Sequence, residues 1–369
     1  MPVIDRRSLQ HFDWVLAGLS VAVLGIGLLN LYSAASPGTE TGLPAMFRRQ
    51  LIALGVALLA MVTVIAIDYR RMERWAMPLY VATLVLLAST LILAPLTRGN
   101  RSWLIYGPFS LQPAELAKLG LILAMARYFQ RNPPSEIHHL RELLGPALLA
   151  AAPVGLIVLQ RDMGVAVLTL LIAASYLPLV RIPARAWTVV AGAALLALAG
   201  LWEFVFKDYQ RGRILDFLDP SRDPLASGYQ AIQSKIAVGS GGLFGQGYLQ
   251  GPQTQLQFLP TQHSDFAFSV WAEEWGFAGC CVLLAAYLGL LLWGLVVAHN
   301  SKDRFGAMLA VGVVGMLFWP AAINVAMVLG LAPVIGVPLP MVSYGGSQLL
   351  ASLIAVGLLH NISMRRYIF

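Results

Sequence analysis

Charge is the scarcest property of this 369-residue chain. Asp, Glu, Lys and Arg make up 12% of it, about half of what a soluble domain carries. The deficit runs along the whole length, which excludes a soluble enzyme with an anchor and indicates a polytopic membrane protein. Cysteine is almost absent. Cys280 and Cys281 are adjacent inside an apolar run, so they form no structural staple, and no CxxC or Cys/His metal spacing exists. The six histidines are scattered and make no ligand cluster. A nucleotide site is missing too. "GSGGLFGQG" (Gly239 to Gly247) has no Lys-Ser/Thr behind it and follows no strand, so it is neither a Walker loop nor a dinucleotide fingerprint. It is expected to be a mobile loop. No internal repeat or low-complexity tract is visible, which weakens an inverted-repeat transporter.

What is present is apolar sequence, 58% of the chain. A helical span needs about 20 apolar residues, and ten can be placed: 14–34, 48–67, 75–96, 113–129, 143–160, 164–180, 184–203, 266–298, 306–331 and 346–364. The N-terminal run from Trp14 to Tyr32 is longer than the apolar part of a signal peptide, so it is read as an uncleaved first span. The expected fold class is an all-α polytopic membrane protein, a single domain over 1–369. With both termini inside, Arg70, Arg71, Arg74, Lys302, Arg304 and Arg365 fall on the inner side, and Arg48, Arg49, Arg98, Arg101 and Arg161 outside. The full inner set is larger, which favours an even span count with cytoplasmic ends. The segment 204–264 is then a large extracytoplasmic loop between the seventh and eighth spans. A connection that long is more often functional than idle. The net charge of +7 suits inner loops facing anionic lipid or an anionic substrate, and composition does not separate the two.

Several polar groups stand where they are costly. In "QPAELAKLGL", Pro113 suits a first helical turn, and Glu115 and Lys118 share a helix face inside the fourth span. They form either a mutual structural pair or the wall of a polar cavity. Before them, "RGNRSWLIYGPFSLQ" puts Arg98 and Arg101 beside Trp103 at the outer surface. The aromatic suits belt anchoring, and the arginine forks suit phosphate oxygens. Asp162 in "LQRDMGVAV" is either salt-bridged to Arg161 or Arg101 or directly catalytic. "FLPTQHSDFAFSVWAEEWG" (Phe258 to Gly276) carries three carboxylates. Asp265, after His263 and Ser264 at the outer mouth of the eighth span, is either an N-cap or an exposed general base. On one continuous helix Glu273 stands about 12 Å further along, too far for the 5–9.5 Å of a paired-carboxylate glycosidase. Any chemistry therefore falls to a single carboxylate, which fits a good leaving group such as a pyrophosphate. Glu273 and Glu274 are expected deeper, paired with cations on neighbouring spans. Lastly, Asn324 to Gln348 contains Pro333, Pro338 and Pro340 and a Ser-Tyr-Gly-Gly-Ser turn. Broken backbone at membrane depth survives only where protein buries it or a cavity wets it, so the last two spans are expected to frame a cavity.

Taken together these segments resemble the shape, elongation, division and sporulation family, the RodA/FtsW group of bacterial cell-wall proteins. The most specific match is the C-terminal signature: Asn324, Gly330, Pro333, Gly336 and Ser343 to Ser347. "RGNRSWLIYG…LQPAELAK", "LQRDMGVA" and "FLPTQHSDF" match further blocks in order, and "GSGGLFGQGYLQGPQTQLQFLP" and the short termini resemble the RodA branch. Departures at Ala114, Arg161, Thr261, Ser264 and Gln348 leave the aspartate and the arginine in place. The resemblance implies a peptidoglycan glycosyltransferase acting on lipid II in the bacterial inner membrane, with its site facing the extracytoplasmic side. It implies Asp265 as general base, Arg101 and Lys118 near the pyrophosphate, and Glu115, Asp162, His263, Ser343 and Tyr344 as further substrate-binding residues. It leaves room for a divalent cation, magnesium or manganese, although the sequence shows no cage for one. The implied partners are a class B penicillin-binding protein of the PBP2 transpeptidase type and other elongation-complex membrane proteins, with no nucleic acid. A lipid II flippase and a scaffold without chemistry are the competing expectations.

Overall fold

The computed structural model describes residues 11–37, 42–96, 100–107, 109–133, 139–180 and 227–366, with isolated positions between 181 and 226. Arg98 and nearly all of the seventh expected span lie outside the described residues. The chain forms α1 (Trp14–Ala35), α2 (Ala45–Ala66), α3 (Tyr69–Leu93), β1 (Leu104–Tyr106), β2 (Phe109–Leu111), α4 (Pro113–Arg131), α5 (Leu144–Leu159) and α6 (Met163–Ala174). It continues with α7 (Ser227–Ser240), α8 (Pro252–Gln255), α9 (Ala267–His299), α10 (Arg304–Val328) and α11 (Gly346–Arg365). Seven helices among the described residues are long and apolar enough to cross a membrane, as the hydropathy runs foretell. Of the two that the sequence makes short or charged, α4 packs inside them, while α6 keeps Val167 and Leu170 exposed. The hairpin β1–β2 pairs antiparallel with Ile105 opposite Ser110.

Local chemistry sets the helix starts. The Asp13 carboxylate accepts the Leu16 N–H at 3.1 Å, and Asp303 accepts the Gly306 N–H at 3.1 Å, each meeting a donor that a helix start leaves unpaired. Pro113 occupies the first turn of α4, where a missing N–H is harmless. From Pro113 to Ala126 almost every α4 side chain is buried. A helix enclosed on all faces belongs to the centre of a bundle, and that enclosure is what allows α4 to carry ions away from lipid. At one end of the bundle, here the terminal end, lie the start of α1 and the ends of α9 and α11. The hairpin and residues 241–265 mark the opposite end, the loop end.

α9 departs from expectation. Hydropathy reads it as one span, but its backbone breaks at Gly276 (φ 63°, ψ −164°). Contacts with α1 show what the break does. Ala267 O accepts the Asn30 side-chain amide at 2.8 Å, and Glu274 accepts the Ser33 hydroxyl. Beyond Gly276, Gly289 packs on Leu19, and Trp293 reaches Asp13. The chain thus climbs α1 toward the loop end from 267 to 274, then turns and descends. Residues 267–275 form a half-helix whose side chains from Ala267 to Glu274 are all buried. Only residues 277–299 run the length of a span.

"GSGGLFGQG" closes this break, and is packed rather than a loose loop. The N–H groups of Gln246 and Gly247 donate to the Glu273 and Glu274 carbonyls at 2.9 and 3.1 Å, while Phe277 and Ala278 donate to Gly242 and Leu243 at 2.9 and 3.0 Å. Both cut ends of the helix are capped by one loop. Such close backbone approach leaves no room for side chains: a Cβ on Gly276 would lie 2.3 Å from Gly245 N.

Gly276→Ala should therefore be strongly destabilising, by ~1–3 kcal/mol for the backbone strain alone with the clash in addition. Gly25→Ala in α1, where a Cβ meets nothing within 4 Å, should be neutral or slightly stabilising. Thermal unfolding of the detergent-solubilised protein compares the two, and equal midpoints would refute the account of the break.

Candidate active site

Asp265 stands just before the half-helix, partly buried. The N-cap of α9 is Phe266, with no side-chain cap bond, so the expectation of Asp265 as N-cap is corrected. Its depth is corrected as well. Ala267 lies level with Asn30, short of the loop end of α1, so Asp265 is recessed by roughly 5–8 Å of helix rise. Glu273 and Glu274 lie nearer that end, and among the described residues neither pairs with a cation. Glu273 accepts the Gln253 and Thr254 N–H groups at 2.7 and 3.1 Å and the Thr254 hydroxyl at 2.6 Å. It therefore caps the first turn of α8, where a carboxylate is favoured. Glu274 accepts from Leu249 N at 3.2 Å and from Ser33.

The C-terminal signature wraps the other side of Asp265. Residues 331–345 run without helix and reach bundle depth, where Gly27 of α1 admits them: a Cβ there would lie 2.3 Å from Met341 O. Prolines remove amide donors along this path, and side chains take its carbonyls. Asn324 donates to Val337 O at 2.7 Å, Gln348 to Pro338 O at 2.8 Å, and Tyr287 to Pro340 O. The expected broken backbone between the last two spans is thus present, buried in protein. Gly336 faces the carboxylate, with its Cβ position 3.3 Å from Asp265 Oδ2.

A second polar cluster lies across this segment. Ile335 O approaches Gly164 within 3.0 Å of its Cβ position, and Gly164 follows Asp162. The Asp162 carboxylate accepts the Val165 N–H at 3.4 Å and the Gln112 side chain at 3.2 Å. Burial pushes its pKa up, opposed by the bonds from Val165 and Ser102; the Glu115 charge adds to the rise and the Lys118 charge opposes it. Neither Arg161 nor Arg101 salt-bridges Asp162 among the described ion pairs, so that expectation is corrected. Lys118 Nζ meets Glu115 Oε1 at 2.8 Å, both side chains being almost fully buried. Gln112 N donates to Ser347 Oγ at 3.0 Å, which ties the cluster to the signature. Arg101 N donates to Gln160 O at 3.2 Å, and its exposed guanidinium reaches Leu91 O at 3.2 Å.

The expected site residues thus form two groups on either side of residues 335–336. His263, Asp265, Ser343 and Tyr344 lie on one, with the His263 and Tyr344 rings edge to face at 5.7 Å. Arg101, Glu115, Lys118 and Asp162 belong to the other. Ser343 is corrected from substrate-binding, since it is buried and its hydroxyl both donates to Ser264 O and accepts Leu339 N–H. Sequence reasoning missed Ser102, Gln112 and Gly336 as parts of the site, although Gln112 lies in the "LQPAELAK" block. Left-handed backbone at Arg161, Thr261 and Met341 (φ 67°, 53° and 63°) flanks all three polar segments. Side-chain-bearing residues seldom adopt it, and it clusters at functional sites.

The family model of the FtsW/RodA/SpoVE "cell cycle protein" matches residues 14–368. The chain is 38% identical over 361 residues to the peptidoglycan glycosyltransferase MrdB of Escherichia coli, covering 96% of this chain and 94% of that protein. Its fold is similar to a chain in a solved structure described as "Structural coordination of polymerization and crosslinking by a peptidoglycan synthase complex", with TM-score 0.83, 36% identity, and coverage of 97% and 99%. It is also similar to the rod shape determining protein RodA of Thermus thermophilus, with TM-score 0.72, 34% identity, and coverage of 96% and 98%.

Two measurements check the second cluster. Lys118→Met should cost ~3–5 kcal/mol by stranding a buried carboxylate, and adding Glu115→Leu should recover much of it; a double variant no more stable than the single would refute a mutual pair. Asp162 has a raised folded pKa, so its stability contribution is full below the unfolded value near 3.8 and is lost as pH rises through the folded value. Asp162→Asn should therefore raise the thermal midpoint at pH 7 and change it little near pH 4. A midpoint lowered at pH 7 would contradict the burial penalty.

Proposed function

Because the chain belongs to the FtsW/RodA/SpoVE family, we propose that it is a peptidoglycan glycosyltransferase polymerising lipid II, with Asp265 as general base. The observation that carries this reading is the position of Asp265: a partly buried carboxylate, recessed at the junction of a half-helix and a non-helical segment. A base there is sheltered yet reachable from the loop end. Its carboxylate takes the proton of an acceptor sugar hydroxyl. The freed oxygen attacks the anomeric carbon of the donor, the bond from that carbon to the pyrophosphate oxygen breaks, and the configuration inverts. Undecaprenyl pyrophosphate leaves as an anion without a protonating acid, so one carboxylate is enough.

The cations have separate parts in this scheme. Arg101 presents a fork suited to phosphate oxygens at the exposed edge. Lys118 acts from within, where Glu115 holds it and Asp162 shares its field. His263 and Tyr344 line the Asp265 side and contact the sugars. Among the described residues no three His, Cys, Asp or Glu side chains gather as a metal cage. A magnesium or manganese ion would be held chiefly by pyrophosphate oxygens and water, with one or two carboxylates, and would neutralise phosphate charge. The basic-residue asymmetry supports a loop end on the extracytoplasmic side and both termini in the cytoplasm. A crosslinking partner of the class B penicillin-binding type is supported by likeness to the peptidoglycan synthase complex. Other elongation-complex membrane proteins are part of the same proposal.

Polymerisation of lipid II by the purified protein, with and without such a partner, tests the reading. Wild type should form glycan chains, and Asp265→Asn almost none while folding normally and still binding lipid II. Equal polymerisation by both would remove the general base. Lipid translocation in vesicles without polymer, even with the partner, would replace the enzyme by a flippase.

A further inference from the structure

Three successive carbonyl groups lead into the Asp265 side chain, and a donor from the C-terminal signature region takes each of them. His263 O accepts the Tyr344 N–H at 2.8 Å. Ser264 O accepts the Ser343 hydroxyl at 2.5 Å. Asp265 O accepts the Asn324 side-chain amide at 2.7 Å. The two side chains also bond to the segment on which the signature folds: Asn324 to Val337 O at 2.7 Å and Ser343 to Leu339 N at 2.8 Å. Each is a bridge, with the Asp265 backbone on one side and the non-helical segment on the other.

A further contact is steric. Gly336 has φ +72°, and a Cβ there would come within 3.3 Å of Asp265 Oδ2. Glycine therefore lets the segment lie flat beside the carboxylate without pushing it. Asn324 is fully buried, and among the described residues its Oδ1 meets no hydrogen-bond partner. A buried orphan acceptor costs free energy. A position that keeps asparagine despite that cost is one where the two amide donors matter.

Resting on the reading of Asp265 as general base, we propose that Asn324, Ser343 and Gly336 form a cradle that fixes the Asp265 carboxylate in the geometry needed to take the acceptor proton. Asn324 and Ser343 are positioning residues in this scheme, since they act through Asp265 and touch no substrate. The need for them follows from what proton abstraction demands: a misplacement of the base of about 1 Å can cost 10²-fold in rate. The base also precedes its half-helix, on a turn where Ser264 and Asp265 N–H both donate to Thr261 O. Precision at such a site has to come from outside the segment.

The test uses the purified full-length protein and lipid II, with Asn324→Leu and Ser343→Ala, each alone and combined with Asp265→Asn. Each single substitution should lower kcat about 10–100-fold while KM for lipid II moves less than about threefold. The thermal midpoint should fall as well, since each strands buried backbone groups, so the KM–kcat split and the double-variant comparison decide. In the Asp265→Asn background neither should lower the residual rate further, because sites acting through one group are non-additive. A kcat within about threefold of wild type for both variants overturns the cradle. So does a loss in which KM changes as much as kcat, or one that multiplies onto the Asp265→Asn residual, since each marks a merely structural role. Should Asn324→Leu fail to fold, Ser343→Ala carries the same comparison. A wild-type rate untouched by Asp265→Asn removes the general base and the cradle with it. An Asp265-dependent rate that ignores both partners overturns the cradle alone.

Discussion

Inside a bilayer each backbone N–H and C=O must find a partner within the protein, and that constraint governs how this molecule places a carboxylate. Two stretches among the described residues leave the helical pattern, the break at Gly276 near the loop end and residues 331–345 at bundle depth, and each is repaired differently. The break is capped by the backbone of 242–247, two amides on one cut end and two carbonyls meeting the other. The longer stretch is repaired by side chains, with Asn324, Gln348 and Tyr287 taking the carbonyls of Val337, Pro338 and Pro340. Asp265 lies at the start of the half-helix, beside the longer of these stretches. Without the break the chain would run on as one helix, and the aspartate would stand at the rim and not in a recess.

The same constraint distributes the carboxylates. Glu273 and Glu274 look like candidate chemistry because ions at depth are costly. Both Glu273 oxygens and Glu274 Oε1 are instead engaged by the amides of Gln253, Thr254 and Leu249, which the compact loop would otherwise leave unpaired. Glu115 is matched by Lys118. These acids hold the frame. Asp265 differs in that the signature grips its main chain, through Asn324, and leaves flat glycine backbone beside its side chain.

Much of this was legible in sequence and some was not, for identifiable reasons. Apolar runs marked the spans because burial in lipid is a property of composition. The signature from Asn324 to Ser347 marked a broken segment because prolines and glycines announce lost helix. The break at Gly276 was invisible because "VWAEEWGFAG" is equally apolar on both sides, and one glycine inside a helix does not declare its φ. The loop that repairs it lies about thirty residues upstream, beyond the reach of any local pattern. Glycines read as looseness in "GSGGLFGQG" turn out to serve close approach, since Gly241 and Gly245 lie against the carbonyls of Ala272 and Glu274. Ser343 looked like a ligand group because a hydroxyl carries no sign of what it will bond.

The terminal end explains how the loop end can be so irregular. There Asp13 joins three helices, capping α1 while accepting from Trp293 of α9 and Ser363 of α11. Burial would raise its pKa, but the hydrogen bonds from Ser363, Trp293 and Leu16 outweigh that and hold it below the usual carboxylate value. Such a carboxylate stays ionised and bonded across the physiological range, and its clasp weakens only as pH falls through the lowered folded value. Nearby, Arg365 donates to the last carbonyls of α2, at Ile65 and Ala66, and to Asn361. A cation suits a helix end of that polarity. The helices are thus fixed at one end by ionic hydrogen bonds, so the other end can give up regular structure without the bundle parting. A site assembled from half-helix, hairpin and non-helical chain is only as precise as the elements that carry it, and here those elements are anchored at the far end of the same helices.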